Sequence, residues 1–183
     1  EFMAVIGNFS AEVAADPLQG IFIAPSSDPT GGSGAWVRIW DWINAKPEWF
    51  GALKNDFTAA AGNLPAIYAA INCGSRVVEF EYGHYYTNTT FSFNTAAVVL
   101  KGSGGQEFGQ GTVIMCTDPN VDCIQIGPSR DMQMYDITAS WFTGPYCDDR
   151  STEAARVAAP TAFRFMGTGF FRGARLFNTN AFT

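Results

Sequence analysis

The sequence predicts a mainly β fold: the start of a right-handed parallel β-helix, with a short N-terminal capping helix and a small β-rich N-terminal module. Three observations lead to this prediction. Of the 183 residues, 47% are hydrophobic and only 15% are charged, which is typical of a folded chain with its own core. The chain has 19 Gly and 9 Pro, as expected for short strands joined by turns. Two late segments also read alike.

The two similar segments are residues 124–127 followed by 132–135, and residues 163–167 followed by 174–177. Each consists of a short strand, a glycine turn and a second strand. Their separation of roughly 40 residues is typical of stacked repeats.

The domain prediction places an N-terminal β and turn module at residues 1–45, in which residues 1–2 resemble a cloning scar. Residues 46–183 are predicted to hold the capping helix and the first turns of the β-helix. The sequence ends without a polar cap, so we expect the solenoid to be truncated and the natural protein to continue.

Two strands are predicted in the N-terminal module, at residues 20–25 and 35–40. Residues 26–34 between them are rich in Ser, Asp, Pro, Thr and Gly, which favour turns. The alternation within the second strand places Trp36 and Arg38 on the same face.

A short helix is predicted around residues 65–71. Pro65 suits a first helical turn, where its missing N–H is not needed. Ile67, Ala70 and Ile71 follow at i, i+3, i+4 spacing and make one apolar stripe. So short a helix must be stabilised by packing and not by propensity.

Beyond residue 75 the apolar pattern changes from a helical to a strand period. Val, Ile, Thr, Tyr and Phe are frequent there, and β structure favours all of them. The predicted strands cover residues 76–81, 85–93, 96–100, 111–115, 122–127, 132–137, 140–142, 162–166 and 169–178.

Charge excludes some partners. The net charge is −6 and the sequence pI is about 4.6, which argues against binding nucleic acid through a basic face. No apolar run is long enough to span a bilayer, so membrane insertion is not predicted.

From Arg150 onward, Glu153 is the only acid among five arginines. These arginines either point outward from strands or form a contact surface for an anionic sugar or another subunit.

Cysteine and histidine content predicts no metal site and no cofactor. No C-x-x-C pair occurs, and His84 is the only histidine. Cys116 and Cys123 either close a loop as a disulfide or remain free, buried thiols. The four cysteines are Cys73, Cys116, Cys123 and Cys147.

Several short motifs follow one another between residues 47 and 127. They are W-F-G-A at 49–52, A-I-Y-A-A-I at 66–71, G-H-Y at 83–85, L-K-G-S-G at 100–104 and G-T-V-I at 111–114. In this order they resemble the N-terminal part of pectate-lyase-like right-handed β-helix proteins, which include many phage tailspikes. Residues 16–38 resemble the module that precedes the β-helix in some phage tail proteins. The G-D-G usual after W-F-G-A is absent here.

The resemblance implies an N-terminal fragment of a phage or prophage tailspike-like protein that binds or degrades a bacterial surface polysaccharide. It further implies a homotrimer in the full-length protein and a place in the virion tail or outside the cell. Two alternatives remain open: a fragment of a bacterial extracellular polysaccharide lyase, hydrolase or epimerase, and a purely structural attachment or cap domain. We expect the isolated chain to be inactive.

The best local cluster for sugar chemistry lies in the loop after Trp141. Sugar hydrolysis needs paired carboxylates, and elimination needs a base beside positive charge. This loop combines acids, arginines and an aromatic ring for stacking, although a solvated surface loop has the same composition. No catalytic residue is assigned. The candidate substrate-binding residues are Trp141, Tyr146, Asp148, Asp149, Arg150, Glu153 and Arg156.

Overall fold

The computed structural model describes residues 1–104, 111–128, 132–141, 161–166, 171–174 and 177–178. The helices are α1 (Ser10–Ala15) and α2 (Ala60–Asn72), with 3₁₀ turns at Pro47–Phe50 and Phe57–Ala59. The strands are β1 (Phe2–Ile6), β2 (Phe22–Ile23), β3 (Gly34–Arg38), β4 (Asn44–Ala45), β5 (Val77–Glu79), β6 (Gly83–Thr87), β7 (Phe91–Phe93), β8 (Val99–Lys101), β9 (Thr112–Cys116), β10 (Ile124–Ile126), β11 (Met132–Tyr135), β12 (Ile137–Trp141), β13 (Phe163–Phe165), β14 (Phe171–Ala174) and β15 (Phe177–Asn178).

The first 45 residues contain an antiparallel sheet of three strands in the order β1-β3-β2. Asp16, buried after α1, accepts hydrogen bonds from the backbone N–H groups of Gly20, Ile21 and Phe22 at 3.1, 2.6 and 2.8 Å. One carboxylate thus holds the turn that leads into β2. The boundary at residue 45 stays a prediction.

The later strands form three parallel sheets around one core. Their orders are β13-β10-β7, β14-β11-β8-β5-β4 and β15-β12-β9-β6. Alternate side chains point inward because the strand period is two. The fully buried inward residues include Val78, Leu100 and Met134 in the second sheet, with Tyr85 and Ile114 in the third.

Helix α2 lies against one end of these sheets and supplies bonds that a missing neighbouring strand would otherwise make. Asn63, fully buried, donates to the carbonyl oxygens of Leu53 and Tyr86 at 3.0 and 2.9 Å and accepts from the Leu53 N–H at 2.8 Å. The Tyr68 hydroxyl accepts from the Ser92 N–H at 2.9 Å. The edges of β6 and β7 therefore have side-chain partners.

The predicted fold class is wrong. The described residues form a mixed α/β fold of four separate sheets and few helices, one sheet being antiparallel, and they show neither a closed barrel nor a continuous right-handed parallel β-helix. The physical reason lies partly in α2, a helix of 13 residues whose Leu64, Ala66, Ile67 and Ala70 belong to the core. In addition, an alternating pattern predicts where strands lie in the sequence but not which strands pair with one another in a sheet.

Helix α2 is longer than predicted, and Pro65 lies inside it instead of in its first turn. Pro65 removes the bond to the carbonyl of Ala61, but both residues are exposed, so no partner is lost in the core. Buried Ala60, Asn63 and Leu64 anchor the turn before Pro65. Tertiary packing thus extends the helix past the position that local propensity favours.

The similarity between the two late segments is confirmed in its first half only. Ile124 lies opposite Phe163 in the parallel pair β10–β13. In the second half, Met132 lies opposite Phe171 and not opposite Ala174. Arg164, one of the late arginines, forms an ion pair with Asp122, to which its Nη2 donates at 3.0 Å. Arg164 therefore holds β13 to the turn before β10.

Cys116 and Cys123 are free, buried thiols. The Cys123 thiol contacts the carbonyl oxygens of Ile114 and Ser140, each at 3.2 Å. Burial raises the pKa of the Cys123 thiol to about 12. Both thiols are therefore protonated core groups at neutral pH.

Candidate functional site

A cleft of about 620 Å³ lies along one edge of the five-stranded parallel sheet. Adjacent strands β4, β5, β8 and β11 run in the same direction, so their carboxyl ends meet at this edge. Three interstrand spacings make the edge about 14 Å wide. The lining residues come from the ends of these strands and the turns after them: Lys46, Glu79, Phe80, Glu81, Tyr82, Lys101, Gly102, Ser103, Gly104 and Asp136.

Two ion-paired groups line the cleft. Glu81 accepts from Lys46 Nζ at 2.9 Å and also pairs with Lys54. Glu79 lies opposite Lys101 in the register of β5 and β8, and their side chains pair at 3.0 Å. The bonds from Lys54 and Lys46 lower the pKa of the Glu81 carboxyl from 4.5 to about 2.

Tyr85 fixes the backbone of the cleft at Glu81 by a hydrogen bond. The buried Tyr85 hydroxyl accepts the Glu81 N–H at 3.0 Å and donates to the carboxylate of Glu48. Burial and the Glu48 carboxylate raise the pKa of Tyr85 above its ordinary value. Tyr85 therefore stays protonated and links the Glu81 backbone to the Glu48 carboxylate.

Thr112 ties the glycine-rich turn to the same strand. Its hydroxyl donates to the Glu81 carbonyl at 2.9 Å and accepts the Ser103 N–H at 2.9 Å. Gly102 approaches the next turn so closely that a Cβ there would lie 2.0 Å from the carbonyl oxygen of Asp136. A side chain at Gly102 would therefore separate the two turns that form the cleft wall.

Tyr82 stands at the rim of the cleft with 60% of its surface exposed. An exposed aromatic ring beside carboxylates and ammonium groups offers both an apolar face and hydrogen-bonding partners to one ligand. Ligand sites typically combine these two kinds of group in a concave surface.

Of the predicted site residues, only Trp141 lies within the described ranges. Trp141 ends β12, where it lies opposite Cys116 in the register with β9. The remaining six, Tyr146, Asp148, Asp149, Arg150, Glu153 and Arg156, fall outside the described residues. Sequence reasoning interpreted Glu79 and Glu81 only as parts of a strand. The available signal was two acids at alternate positions beside buried Val78 and Phe80.

Among the described residues, no group of three or more His, Cys, Asp or Glu side chains is placed to hold a metal ion. No helix in the described ranges has the length and apolar character needed to cross a membrane.

Comparisons with models of known protein families, with curated proteins and with solved structures gave no match.

Proposed function

We propose that this chain binds a polysaccharide and that the cleft at the ends of β4, β5, β8 and β11 contacts it. The proposal follows the motif order in residues 47–127, which resembles that of tailspike-like proteins of phages or prophages. In this proposal the ligand is a polysaccharide of a bacterial surface.

The observation that carries the proposal is that one open cleft is lined both by the exposed ring of Tyr82 and by the charged groups of Glu79, Glu81 and Lys101. A pyranose ring has an apolar C–H face and a rim of hydroxyl groups. The aromatic ring suits the first, and carboxylate acceptors and ammonium donors suit the second. The width of about 14 Å suits a short stretch of chain.

The chemistry of this cleft favours binding over cleavage. Glycoside hydrolysis needs a carboxylic acid that is protonated near the working pH. Lys54 and Lys46 instead lower the pKa of Glu81 to about 2, so it stays ionised. Glu79 is engaged by Lys101. Both glutamates are thus suited to accept hydrogen bonds from sugar hydroxyls.

The test is isothermal titration calorimetry with oligosaccharides released from bacterial capsules and lipopolysaccharides. Tyr82→Ala should weaken binding on the order of ten-fold, because it removes the stacking ring. Phe57→Ala, which removes an exposed ring outside the cleft lining, is the matched control. Equal affinity of Tyr82→Ala and the parent chain, or no binding across the panel, contradicts the proposal.

The homotrimer and the virion-tail or extracellular location are part of the same proposal. They rest on the resemblance in the sequence and need their own measurements of mass and location.

A further inference from the structure

The backbone groups on the outer edge of β1 have no partner among the described residues. The Gly7 N–H donates to the Ser33 carbonyl at 3.4 Å, and the Ile39 N–H donates to the Glu1 carbonyl at 3.0 Å. In an antiparallel pair, hydrogen-bonded positions alternate. The odd-numbered residues of β1 therefore face β3, and the N–H and C=O groups of Phe2, Ala4 and Ile6 point away from it. No bond to these groups from elsewhere in the described ranges is seen.

Both faces of β1 are also open. Met3, on one face, is 55% exposed, and Ile6, on the other, is 95% exposed. Trp36 lies opposite Ala4 on the Ile6 face and is 47% exposed. Proteins usually protect an edge strand with charges, proline or a bulge. The β1 residues F-M-A-V-I include no charge and no proline.

We propose that β1 pairs antiparallel with β1 of a second copy of this chain, about a two-fold axis at Ala4. This inference goes beyond the proposed polysaccharide binding and does not depend on it. It concerns the chain of 183 residues, whereas the homotrimer above is proposed for the full-length protein. Pairing in this register places Ala4 opposite the partner copy's Ala4 and Met3 opposite the partner copy's Val5. The axis and these contacts lie within residues 3–6, after the two residues that resemble a cloning scar. The result is a continuous six-stranded antiparallel sheet.

The choice of a second copy follows from complementarity. The partner must present an uncharged, apolar strand with a free edge, and β1 itself has these properties. The self-pairing is isologous, so each contact occurs twice. Ala4, the smallest residue of the strand, lies at the axis and leaves room above it for the Trp36 indoles of the two copies. The paired strand thereby covers apolar surface that is exposed in one copy.

The experiment is light scattering after size exclusion over a range of concentrations, at about 0.15 M salt to screen the net charge of −6. We expect a concentration-dependent dimer. Ala4→Lys places two like charges opposite each other and should raise the dimer dissociation constant on the order of ten-fold. Leu53→Lys, at an exposed apolar residue outside β1, is the matched control and should leave it unchanged.

A charge exchange tests the register. Ala4→Lys and Ala4→Glu should each dimerise on the order of ten-fold more weakly than the parent chain, and an equal mixture should recover the parent affinity because opposite charges then meet at the axis. A parent chain that stays monomeric at its highest soluble concentration, or forms a trimer, overturns the inference. A dimer that Ala4→Lys does not weaken also overturns it.

Discussion

At the scale of single residues, buried polar side chains fix the backbone segments around them. Asn63 makes three hydrogen bonds from a fully buried position, and Tyr85 supports Glu81 from beneath. Each side chain gives a hydrogen-bond partner to backbone groups that burial would otherwise leave without one. Tyr85 thus supports the cleft from outside its lining, and Asn63 fixes the segment at Leu53 to β6.

Asn63→Ala should lower the free energy of unfolding by about 2–4 kcal/mol, because it leaves the Leu53 and Tyr86 backbone groups without their partner. Urea denaturation measures the change. Asn72→Ala, at the exposed C-terminal end of the same helix, is the control and should change stability far less. Equal effects of the two variants would show that the Asn63 bonds contribute little.

Acid should weaken the Lys46–Glu81–Lys54 group. The folded pKa of Glu81 is about 2, below its ordinary value of 4.5. The stability that it contributes is therefore complete above about pH 4.5 and is lost as the pH falls toward 2. Glu81→Gln should melt at a lower temperature than the parent chain at pH 6.

The gap in melting temperature between the parent chain and Glu81→Gln should then narrow as the pH falls from about 4.5 to about 2. Lys54→Met breaks the same group from the other side and should show the same convergence. A gap that is constant across this range would contradict the ionic role of Glu81.

At the scale of elements, close approach between turns matters most where β8 and β11 end. Gly102 lies where a Cβ would meet the Asp136 carbonyl oxygen at 2.0 Å. Gly62, in α2, has open space around the same position. The two glycines therefore predict opposite effects of the same substitution.

Gly102→Ala should destabilise the chain by about 1–3 kcal/mol, since the two turns must move apart. Gly62→Ala should stabilise it by about 0.5–1 kcal/mol, because alanine favours the helix and meets no neighbour there. Thermal melts of both variants measure the difference. A stabilising Gly102→Ala would show that the turns separate without cost.

The elements also show how far the sequence predicts the structure. Val77–Glu79, Thr112–Cys116 and Ile124–Ile126 lie within or across predicted strands, because alternating burial leaves a local pattern. The predicted strand at residues 85–93 is instead two strands, β6 and β7, separated by a bend. That bend is a tertiary feature that β-favouring Tyr, Thr and Phe residues do not reveal.

At the scale of the whole molecule, the cleft arises from strands that lie far apart in the chain. Lys46, Glu79, Lys101 and Asp136 meet because β4, β5, β8 and β11 are neighbours in the sheet. Nothing local in the sequence links these four positions. The charged loop after Trp141 is a local cluster, and its residues beyond Trp141 lie outside the described ranges. Local clusters are visible in a sequence, whereas clusters made by parallel pairing are not.

Chemical-shift mapping by NMR tests the central claim most directly. The chain is titrated with the bacterial surface oligosaccharide that binds most tightly in calorimetry. The account predicts that the largest amide shifts fall at Lys46, Glu81, Tyr82 and Gly102–Gly104 and that they are lost in Tyr82→Ala. Binding that leaves these amides unchanged, with shifts concentrated elsewhere, would contradict the assignment of the cleft as the polysaccharide site.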